Sequence, residues 1–243
     1  MIEQVVIVAG GYAKRMQSIL VDTPKVLAPI QNKPFINYIL DTITKQGIKS
    51  CHLCLGHLSK KIINILPQIT PESLKVTYSV EPYALGVIGA LAYAIDFLDN
   101  KFLFLFGDVY PTVSIKVLNK VFDSKKMDVL MTVGKNEPPP YLSNVAIRDS
   151  LVTLYSKDPN EGHRTHLDLG VYVVKRDCLK KLSLHTKIDE SDFFKDLIAR
   201  KRMGAFEWNI PPLQIGDPQG YFELAELVKD GKLPKPTNKQ TVN

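Results

Sequence analysis

The stretch Val5-Val6-Ile7-Val8-Ala9-Gly10-Gly11 decides how this chain is expected to fold. Its first four residues are apolar and β-branched, which is typical of a strand buried on both faces of a parallel sheet. The two glycines that follow permit positive φ angles and let an anion approach bare backbone N–H groups. Cations at positions 14, 15 and 25 surround this turn. The stretch therefore predicts a buried strand that ends in a polyphosphate-binding turn.

Outward from this stretch, strand patterns alternate with helix patterns. Strands are predicted at 3–9, 50–55, 75–79, 101–106 and 127–133, and helices at 34–47, 58–66, 86–98 and 114–123. This alternation predicts an α/β fold with a doubly wound, mostly parallel (Rossmann-like) mixed sheet. After residue 143 the runs shorten to strands near 144–155 and 167–174 and helices near 175–182 and 191–201. We expect these elements to form a small substrate-binding lobe.

Composition sets limits on the partners of the chain. Its 243 residues are 45% hydrophobic, and the net charge of +6 suits an anionic ligand. The lysines are scattered and no nucleic-acid-binding motif occurs, so we expect no nucleic acid partner. No apolar run approaches the roughly 20 residues of a membrane span, and the first strand leaves no room for a signal peptide. Three cysteines fit a reducing compartment, which predicts a cytoplasmic protein.

Two groups of potential metal ligands are interpreted as structural. Cys51 and Cys54 form a lone C-x-x-C inside an apolar run, where residues three apart on a strand point to opposite faces. A zinc site would need a second pair, which the sequence lacks. We therefore expect both cysteines to pack in the core. His163 and His166 could form a metal pair, but a solvated loop explains them better.

The segment around the glycine turn continues into a longer pattern. Ala9-Gly10-Gly11-Tyr12-Ala13-Lys14-Arg15-Met16 is followed by Pro24-Lys25-Val26-Leu27-Ala28-Pro29 and by Lys33-Pro34. This segment resembles the signature of sugar-1-phosphate nucleotidyltransferases, A-G-G-x-G-T-R-L followed by P-K-x-L-x-P and K-P. The resemblance extends more faintly over about residues 1 to 230 and is closest to heptose 1-phosphate guanylyltransferases.

The resemblance implies a reaction and an organisation of the chain. A sugar-1-phosphate oxygen would attack the α-phosphorus of a nucleoside triphosphate, with Mg²⁺ bound, and expel pyrophosphate. Residues 1–229 would form one domain, with a nucleotide-binding half over about 1–140 and a sugar-phosphate-binding half over 141–229. Residues 230–243 are polar and rich in proline, which predicts a flexible tail. A homodimer is the expected assembly.

The resemblance also assigns residues to the triphosphate. The backbone of Ala9, Gly10, Gly11 and Tyr12, together with Arg15, would cover the β- and γ-phosphates. Lys25 would reach the α-phosphate. Asp108, after the apolar run 101–106, would hold the metal at the carboxyl end of a central strand, where α/β folds place ligands. Arg15, Lys25 and Asp108 are thus the predicted catalytic residues.

Three further segments complete the predicted site. Glu81, in a segment that resembles E/Q-x-x-P-L-G-T-A-G-A, would meet the base edge, and Gly86 would open a helix beside the nucleoside. A carboxylate accepts from both guanine N1–H and N2–H₂, so Glu81 favours GTP. Lys157 would meet the sugar phosphate, and Asp168, Gly170 and Glu190 would contact the sugar.

The chain departs from the family pattern at several positions. Ala13, Lys14 and Met16 replace Gly, Thr and Leu, Val87-Ile88 replaces Thr-Ala, and Ser156 replaces Glu. Gln214 replaces the Asp that serves as the second metal ligand, and an amide binds Mg²⁺ far more weakly than a carboxylate. Asp217 is a possible substitute ligand, and Lys14 could compensate by neutralising phosphate.

These departures leave two other functions open. Gln214 and Val87-Ile88 would also suit a noncatalytic homologue that binds a nucleotide sugar and regulates or scaffolds a transferase. The absence of Glu at position 156 would also suit a CTP-dependent transferase that acts on a non-sugar phosphate.

Overall fold

The computed structural model describes residues 1–135, 143–183, 185–210 and 213–237. Within these ranges, nine strands form one mixed sheet. They are β1 (Gln4–Val8), β4 (Ser50–Leu55), β5 (Lys75–Val80), β6 (Lys101–Phe106), β8 (Val129–Lys135), β9 (Val145–Arg148), β10 (Leu151–Tyr155), β11 (His166–Lys175) and β12 (Met203–Glu207). Two small antiparallel pairs lie outside it, β2 (Pro29–Ile30) with β3 (Lys33–Pro34) and β7 (Val109–Tyr110) with β13 (Leu213–Gln214).

Helices connect most of these strands. They are α1 (Phe35–Lys45), α2 (Ser59–Ile69), α3 (Gly86–Tyr93), α4 (Ile115–Asp123), α5 (Glu190–Ala199) and α6 (Pro218–Lys229). Single 3-10 turns occur at Lys14–Met16, Lys25–Leu27, Ile95–Phe97 and Arg176–Cys178. In the part of the chain that the structure describes, no helix is long and apolar enough to cross a membrane.

The strand order of the main sheet is β5-β4-β1-β6-β11-β8-β12-β10-β9. Strands β5, β4, β1 and β6 are parallel, β11 is antiparallel to both β6 and β8, and β12 is parallel to β8. The predicted mixed α/β sheet is therefore confirmed. The doubly wound arrangement and the small lobe remain predictions.

Successive side chains of the central strands point to opposite faces of the sheet, which divides the core into two hydrophobic clusters. Val5 and Ile7 belong to one cluster and Val6 to the other, as expected for side chains on opposite faces of a strand. Cys51 and Cys54 are divided in the same way and are both buried and free. The interpretation of the cysteine pair as core residues is confirmed.

Parallel pairing brings the carboxyl ends of the central strands to one edge of the sheet. Val8 is in register with Cys54 of β4 and with Phe106 of β6. The residues that follow these three positions are therefore neighbours in space, although they are far apart in the chain. This edge is where the glycine turn, Gly56 and Asp108 meet.

Several predicted boundaries are wrong. Helix α2 was expected to end before Pro67 but continues to Ile69, because the proline removes one hydrogen bond close to the helix end. The predicted helix at 175–182 is only a 3-10 turn, since β11 extends to Lys175. The stretch 144–155, where strand structure is predicted, forms two strands separated by a turn in which Asp149 and Ser150 have positive φ angles.

The predicted flexible tail begins at residue 230, and its described part reaches Thr237. The Pro234 carbonyl oxygen accepts a hydrogen bond from the Tyr110 hydroxyl at 3.2 Å. Thr237 forms a parallel β-bridge with Val113. Residues 238–243 lie outside the described residues.

Candidate functional site

The glycine turn lies directly beside the predicted metal-binding carboxylate. The Gly107 N–H donates to the Val8 carbonyl at 3.0 Å, and the Ala9 N–H donates to the Cys54 carbonyl at 2.8 Å. These hydrogen bonds continue the sheet ladder past the end of β1. They hold the backbone of residues 9–11 against residues 107–108.

The conformation of the turn differs from the sequence-based expectation. Neither Gly10 nor Gly11 has a positive φ angle, whereas Ala13 does, with φ 52° and ψ 33°. Gly10 is required for close approach instead, since a Cβ there would lie 2.9 Å from Glu81 Oε1 and 3.2 Å from the Gly56 nitrogen. A Cβ on Gly11 would contact nothing within 4 Å. The turn is therefore tightly packed at Gly10 and open at Gly11.

Lys25 and Asp108 form an ion pair across the end of the sheet. Lys25 Nζ lies 2.8 Å from Asp108 Oδ2, and the two side chains are 21% and 24% exposed. Lys25 lies in the 3-10 turn after Pro24, and Asp108 follows β6, so the structure joins groups 83 residues apart. The sequence predicted both residues for the site but did not predict their direct contact.

Arg15 reaches the same point from the 3-10 turn Lys14–Met16. A Cβ on Gly216 would lie 3.2 Å from Asp108 Oδ2 and 3.3 Å from Arg15 Nη2, so both groups converge beside this glycine. Lys14 and Tyr12 are exposed, and the Tyr12 ring stacks on His57 with the ring centroids 4.8 Å apart. The predicted triphosphate residues are thus arranged around one open turn.

Glu81 lies half-buried behind the glycine turn. Its Oε2 accepts a hydrogen bond from the Leu85 N–H at 3.1 Å, and Oε1 packs against Gly10 and Gly56. Burial raises the pKa of Glu81, and the Leu85 hydrogen bond opposes that rise only in part. The carboxylate is therefore held next to the backbone that is expected to bind phosphate.

Gly86 begins helix α3 in a conformation that favours glycine. Its φ angle is +74°, and a Cβ there would lie 2.7 Å from the Ile188 carbonyl oxygen. The N–H groups of Ile88 and Gly89 both donate to that same oxygen at 3.2 Å. Gly86 thus lets the start of α3 pack against the segment that leads into α5.

The predicted acceptor residues lie on other elements. The ammonium group of Lys157, just after β10, donates to Glu190 at the start of α5. The Glu190 side chain is 8% exposed and that of Lys157 is 60% exposed. This pair places a buried carboxylate beneath an accessible cation.

Asp168 lies on β11, with its carboxylate bound from within the protein. Oδ1 accepts from the Gly170 N–H at 2.8 Å, and Oδ2 accepts from the Tyr172 hydroxyl. Burial raises the pKa of Asp168 to about 6, although these two hydrogen bonds act to lower it. The nearby charge of Glu190 raises the pKa further, and that of Lys157 lowers it. The predicted acceptor residues therefore influence one another electrostatically.

Two adjoining cavities cover this edge of the sheet and share Phe106 and Asp108. One, of about 180 Å³, is also lined by Val8, Ala9, Gly11, Lys25, Val26, Val87 and Gly107. The other, of about 400 Å³, is also lined by Arg15, Val109, Asn144, Leu167, Asp168, Leu169, Gly170, Gln214 and Asp217. Asp108 thus stands between the glycine turn and Asp168.

Some residues of the site escaped sequence-based prediction. Asn144 lines the larger cavity, and its side-chain oxygen accepts from the Asp168 N–H at 2.9 Å. No motif marks Asn144 in the sequence. Tyr172 lies four residues after the predicted Asp168 on the same strand, so its position in the sequence was a signal for this contact that the prediction did not use.

The described residues offer few protein ligands to a divalent cation. Among the described residues, no group of three or more His, Cys, Asp or Glu side chains could hold a metal ion. His166, predicted to lie in a solvated loop, is instead buried on β11, with Nε2 3.5 Å from Glu207. Asp108 remains suited to Mg²⁺, which binds in many proteins through one or two carboxylates together with substrate phosphates.

Known proteins resemble this chain over most of its length. A family model described as nucleotidyl transferase matches residues 4–229. The D-glycero-alpha-D-manno-heptose 1-phosphate guanylyltransferase of Campylobacter jejuni is 27% identical over 222 residues, which cover 91% of this chain and 98% of that protein. The enzyme of the same name from Aneurinibacillus thermoaerophilus is 27% identical and covers 90% of this chain and 95% of its own.

A solved structure shows the same fold. HddC from Yersinia pseudotuberculosis, crystallised with GMP-PN, superposes with a TM-score of 0.78 at 24% identity. The superposition covers 93% of this chain and 100% of that one.

Proposed function

The chain belongs to the nucleotidyl transferase family, and from that premise we propose that it transfers GMP from GTP to a sugar 1-phosphate. The acceptor is heptose 1-phosphate or a closely related sugar phosphate, and the products are pyrophosphate and a nucleotide-activated sugar. The observation that carries the proposal is the Lys25–Asp108 ion pair beside the open glycine turn. It places a cation and a carboxylate together at the strand ends where α/β folds bind ligands.

The reaction needs positioning and charge neutralisation more than proton transfer. The phosphate nucleophile is already ionised at neutral pH, so no general base is required. Lys25 contacts the α-phosphate, where charge develops in the transition state, and Arg15 covers the outer phosphates. Mg²⁺, bound through Asp108, supplies further neutralisation of the triphosphate when present.

The choice of GTP is supported by Glu81 and by the relatives. Glu81 is held by Leu85 beside Gly10, so its position is set before a nucleotide binds. A carboxylate can accept two hydrogen bonds from the guanine edge. The two heptose 1-phosphate relatives, which match nearly their whole length, are guanylyltransferases by name.

Pyrophosphate release by the purified protein tests the proposal. GTP, ATP, CTP, UTP and dTTP are each supplied with Mg²⁺ and with heptose, mannose or glucose 1-phosphate. We expect turnover with GTP and with at least one sugar 1-phosphate. Preference for CTP, with turnover only on a non-sugar phosphate such as phosphocholine, would overturn the proposal.

A Glu81→Gln variant tests how the base is selected. We expect kcat/KM for GTP to drop about tenfold to a hundredfold, since a good bidentate contact to a base contributes roughly 1–3 kcal/mol of discrimination. Glu72→Gln, on an exposed residue before β5, serves as the control. Equal kcat/KM values for GTP in Glu81→Gln and in the unmodified protein would exclude Glu81 from base selection.

A noncatalytic nucleotide-binding homologue is the second candidate function. Gln214, where the family pattern has a metal-binding Asp, favours it. Thermal unfolding separates the two functions, because a ligand at about 100 times its Kd adds roughly 2.7 kcal/mol to stability. Stabilisation by GTP without pyrophosphate release for any sugar phosphate would support the homologue.

A further inference from the structure

Gln214 is bound to the metal-site segment through its backbone. It lies on β13, opposite Val109 of β7, and the adjacent Ile215 N–H donates to the Asp108 carbonyl at 2.9 Å. The backbone of Gln214 therefore lies beside the backbone of residues 108–109, although the two segments are far apart in the chain. An amide stands where a second carboxylate would complete a metal site.

Both ends of the Gln214 amide are already used. Its nitrogen donates to Asp217 Oδ2 at 2.8 Å, and its oxygen accepts from the Gly216 N–H. The other oxygen of Asp217 accepts from the Gly220 N–H at 2.9 Å, which makes Asp217 the N-cap of helix α6. Both Asp217 oxygens are therefore engaged within the protein.

Asp217 is held as an anion in this arrangement. Burial acts to raise its pKa, but the hydrogen bonds from Gly220 and Gln214 and the charges of Arg15 and Lys25 outweigh burial, so the pKa is lowered. Its charge is thus balanced without a metal ion.

The negative charge of Asp108 is also balanced by nearby cations. Its Oδ2 is paired with Lys25 at 2.8 Å, and Arg15 Nη2 converges on the same point beside Gly216. A free divalent cation would have to approach two cations and compete with Lys25 for the charge of a single carboxylate. A triphosphate changes this balance, because it attracts Lys25 and Arg15 and brings its own oxygen ligands.

We infer that Gln214 and the capping role of Asp217 leave Asp108 as the carboxylate that meets the divalent cation, so that the cation binds this protein only together with the triphosphate. The sequence-based prediction of Asp217 as a metal ligand is replaced by this assignment. The inference rests on the proposed function, because it concerns the same phosphate site.

Equilibrium dialysis with Mn²⁺ tests the inference directly. The free protein is expected to retain no more Mn²⁺ than an Asp108→Asn variant, whereas the protein with GTP retains about one Mn²⁺ per chain. Gln214→Asp adds a carboxylate beside Asp108 and is expected to bind Mn²⁺ without nucleotide at least tenfold more tightly than the unmodified protein. Gln214→Asn introduces a side chain of the same size as Asp but without its charge, and this variant is expected to bind Mn²⁺ as weakly as the unmodified protein.

Three results would overturn the inference. One is tight Mn²⁺ binding by the unmodified free protein, which can be measured even if Gln214→Asp does not fold. Another is a gain in Gln214→Asn equal to that in Gln214→Asp, because charge would then not be the cause. The last is a large loss of Mn²⁺ from the GTP complex in Asp217→Asn, whose amide still caps a helix.

A parallel pyrophosphate assay separates this inference from the proposed function. Nucleotide-dependent Mn²⁺ retention without turnover would contradict the proposed function and support the metal assignment. Turnover together with tight Mn²⁺ binding by the free protein would support the proposed function and contradict the metal assignment.

Discussion

The phosphate half of the site, residues 9–25 with Asp108, differs from the acceptor half, formed by Lys157, Asp168 and Glu190. In the phosphate half the cations Lys14 and Arg15 are exposed, Gly11 faces open space, and the Lys25–Asp108 ion pair is partly accessible. In the acceptor half the carboxylates of Asp168 and Glu190 are already bound by Tyr172, Gly170 and Lys157.

This difference shows two ways of preparing a site. The phosphate half leaves charge available to a highly charged ligand, so the proposed binding of a triphosphate there would be governed by electrostatics. The acceptor half fixes its polar groups in advance, which lowers the cost of ordering them on binding and favours selectivity. Mutations in the two halves should therefore affect different kinetic constants.

Lys25→Ala is the change with the largest expected effect. Loss of a contact to charge that develops in the transition state should lower kcat about a hundredfold or more, because such donors typically contribute that much. Steady-state pyrophosphate release measures it, with Lys116→Ala on the exposed face of α4 as the control. A kcat in Lys25→Ala equal to that of the control would remove Lys25 from the reaction.

Lys157→Met should act on the acceptor instead of on turnover. We expect KM for the sugar 1-phosphate to rise about tenfold while KM for GTP changes little, since a lost charge-assisted contact costs roughly 1.5–3 kcal/mol. Lys181→Met, on an exposed lysine after β11, is the matched control. A rise of similar size in KM for GTP would show that the two halves do not act separately.

Asp168→Asn should make stability less dependent on pH. Because burial raises the pKa of Asp168 to about 6, its protonated form is favoured in the folded chain. The stabilising contribution is complete below about pH 4 and is lost as pH rises through about 6. A neutral amide avoids that loss, so the variant should exceed the unmodified protein by about 3 kcal/mol at pH 8 and match it near pH 4.

Urea unfolding at both pH values measures this difference, and Asp192→Asn on the exposed surface of α5 is the control. An equal difference at pH 4 and pH 8 would show that Asp168 does not titrate in this range.

Ala13→Gly carries the smallest expected effect. Ala13 has a left-handed backbone conformation, which costs an L-residue roughly 1–2 kcal/mol. Glycine removes this cost, but its greater conformational freedom in the unfolded chain offsets part of the gain. We expect a net gain in stability of about 0.5 kcal/mol. Ala225→Gly in helix α6 should instead destabilise by about 1 kcal/mol. A loss of stability in Ala13→Gly would show that the turn does not strain Ala13.

Much of the first half of the fold could be predicted from local pattern. The bounds of β4 and β6 match the predicted ranges 50–55 and 101–106, because polar residues precede each apolar run and a glycine follows it. Strand β12 and helix α6 were not predicted. Asp217 followed by Pro218 is an N-cap and first-turn signal that would have indicated α6.

The sequence by itself determined the order of strand, glycine turn and cations, since apolar runs, glycines and charges act over a few neighbouring residues. Only the tertiary structure decided that Lys25 contacts Asp108, that Gln214 holds Asp217, and that Asn144 supports Asp168. The physical reason is strand register. Pairing of β1 with β6 and of β7 with β13 brings together side chains that no short-range pattern relates.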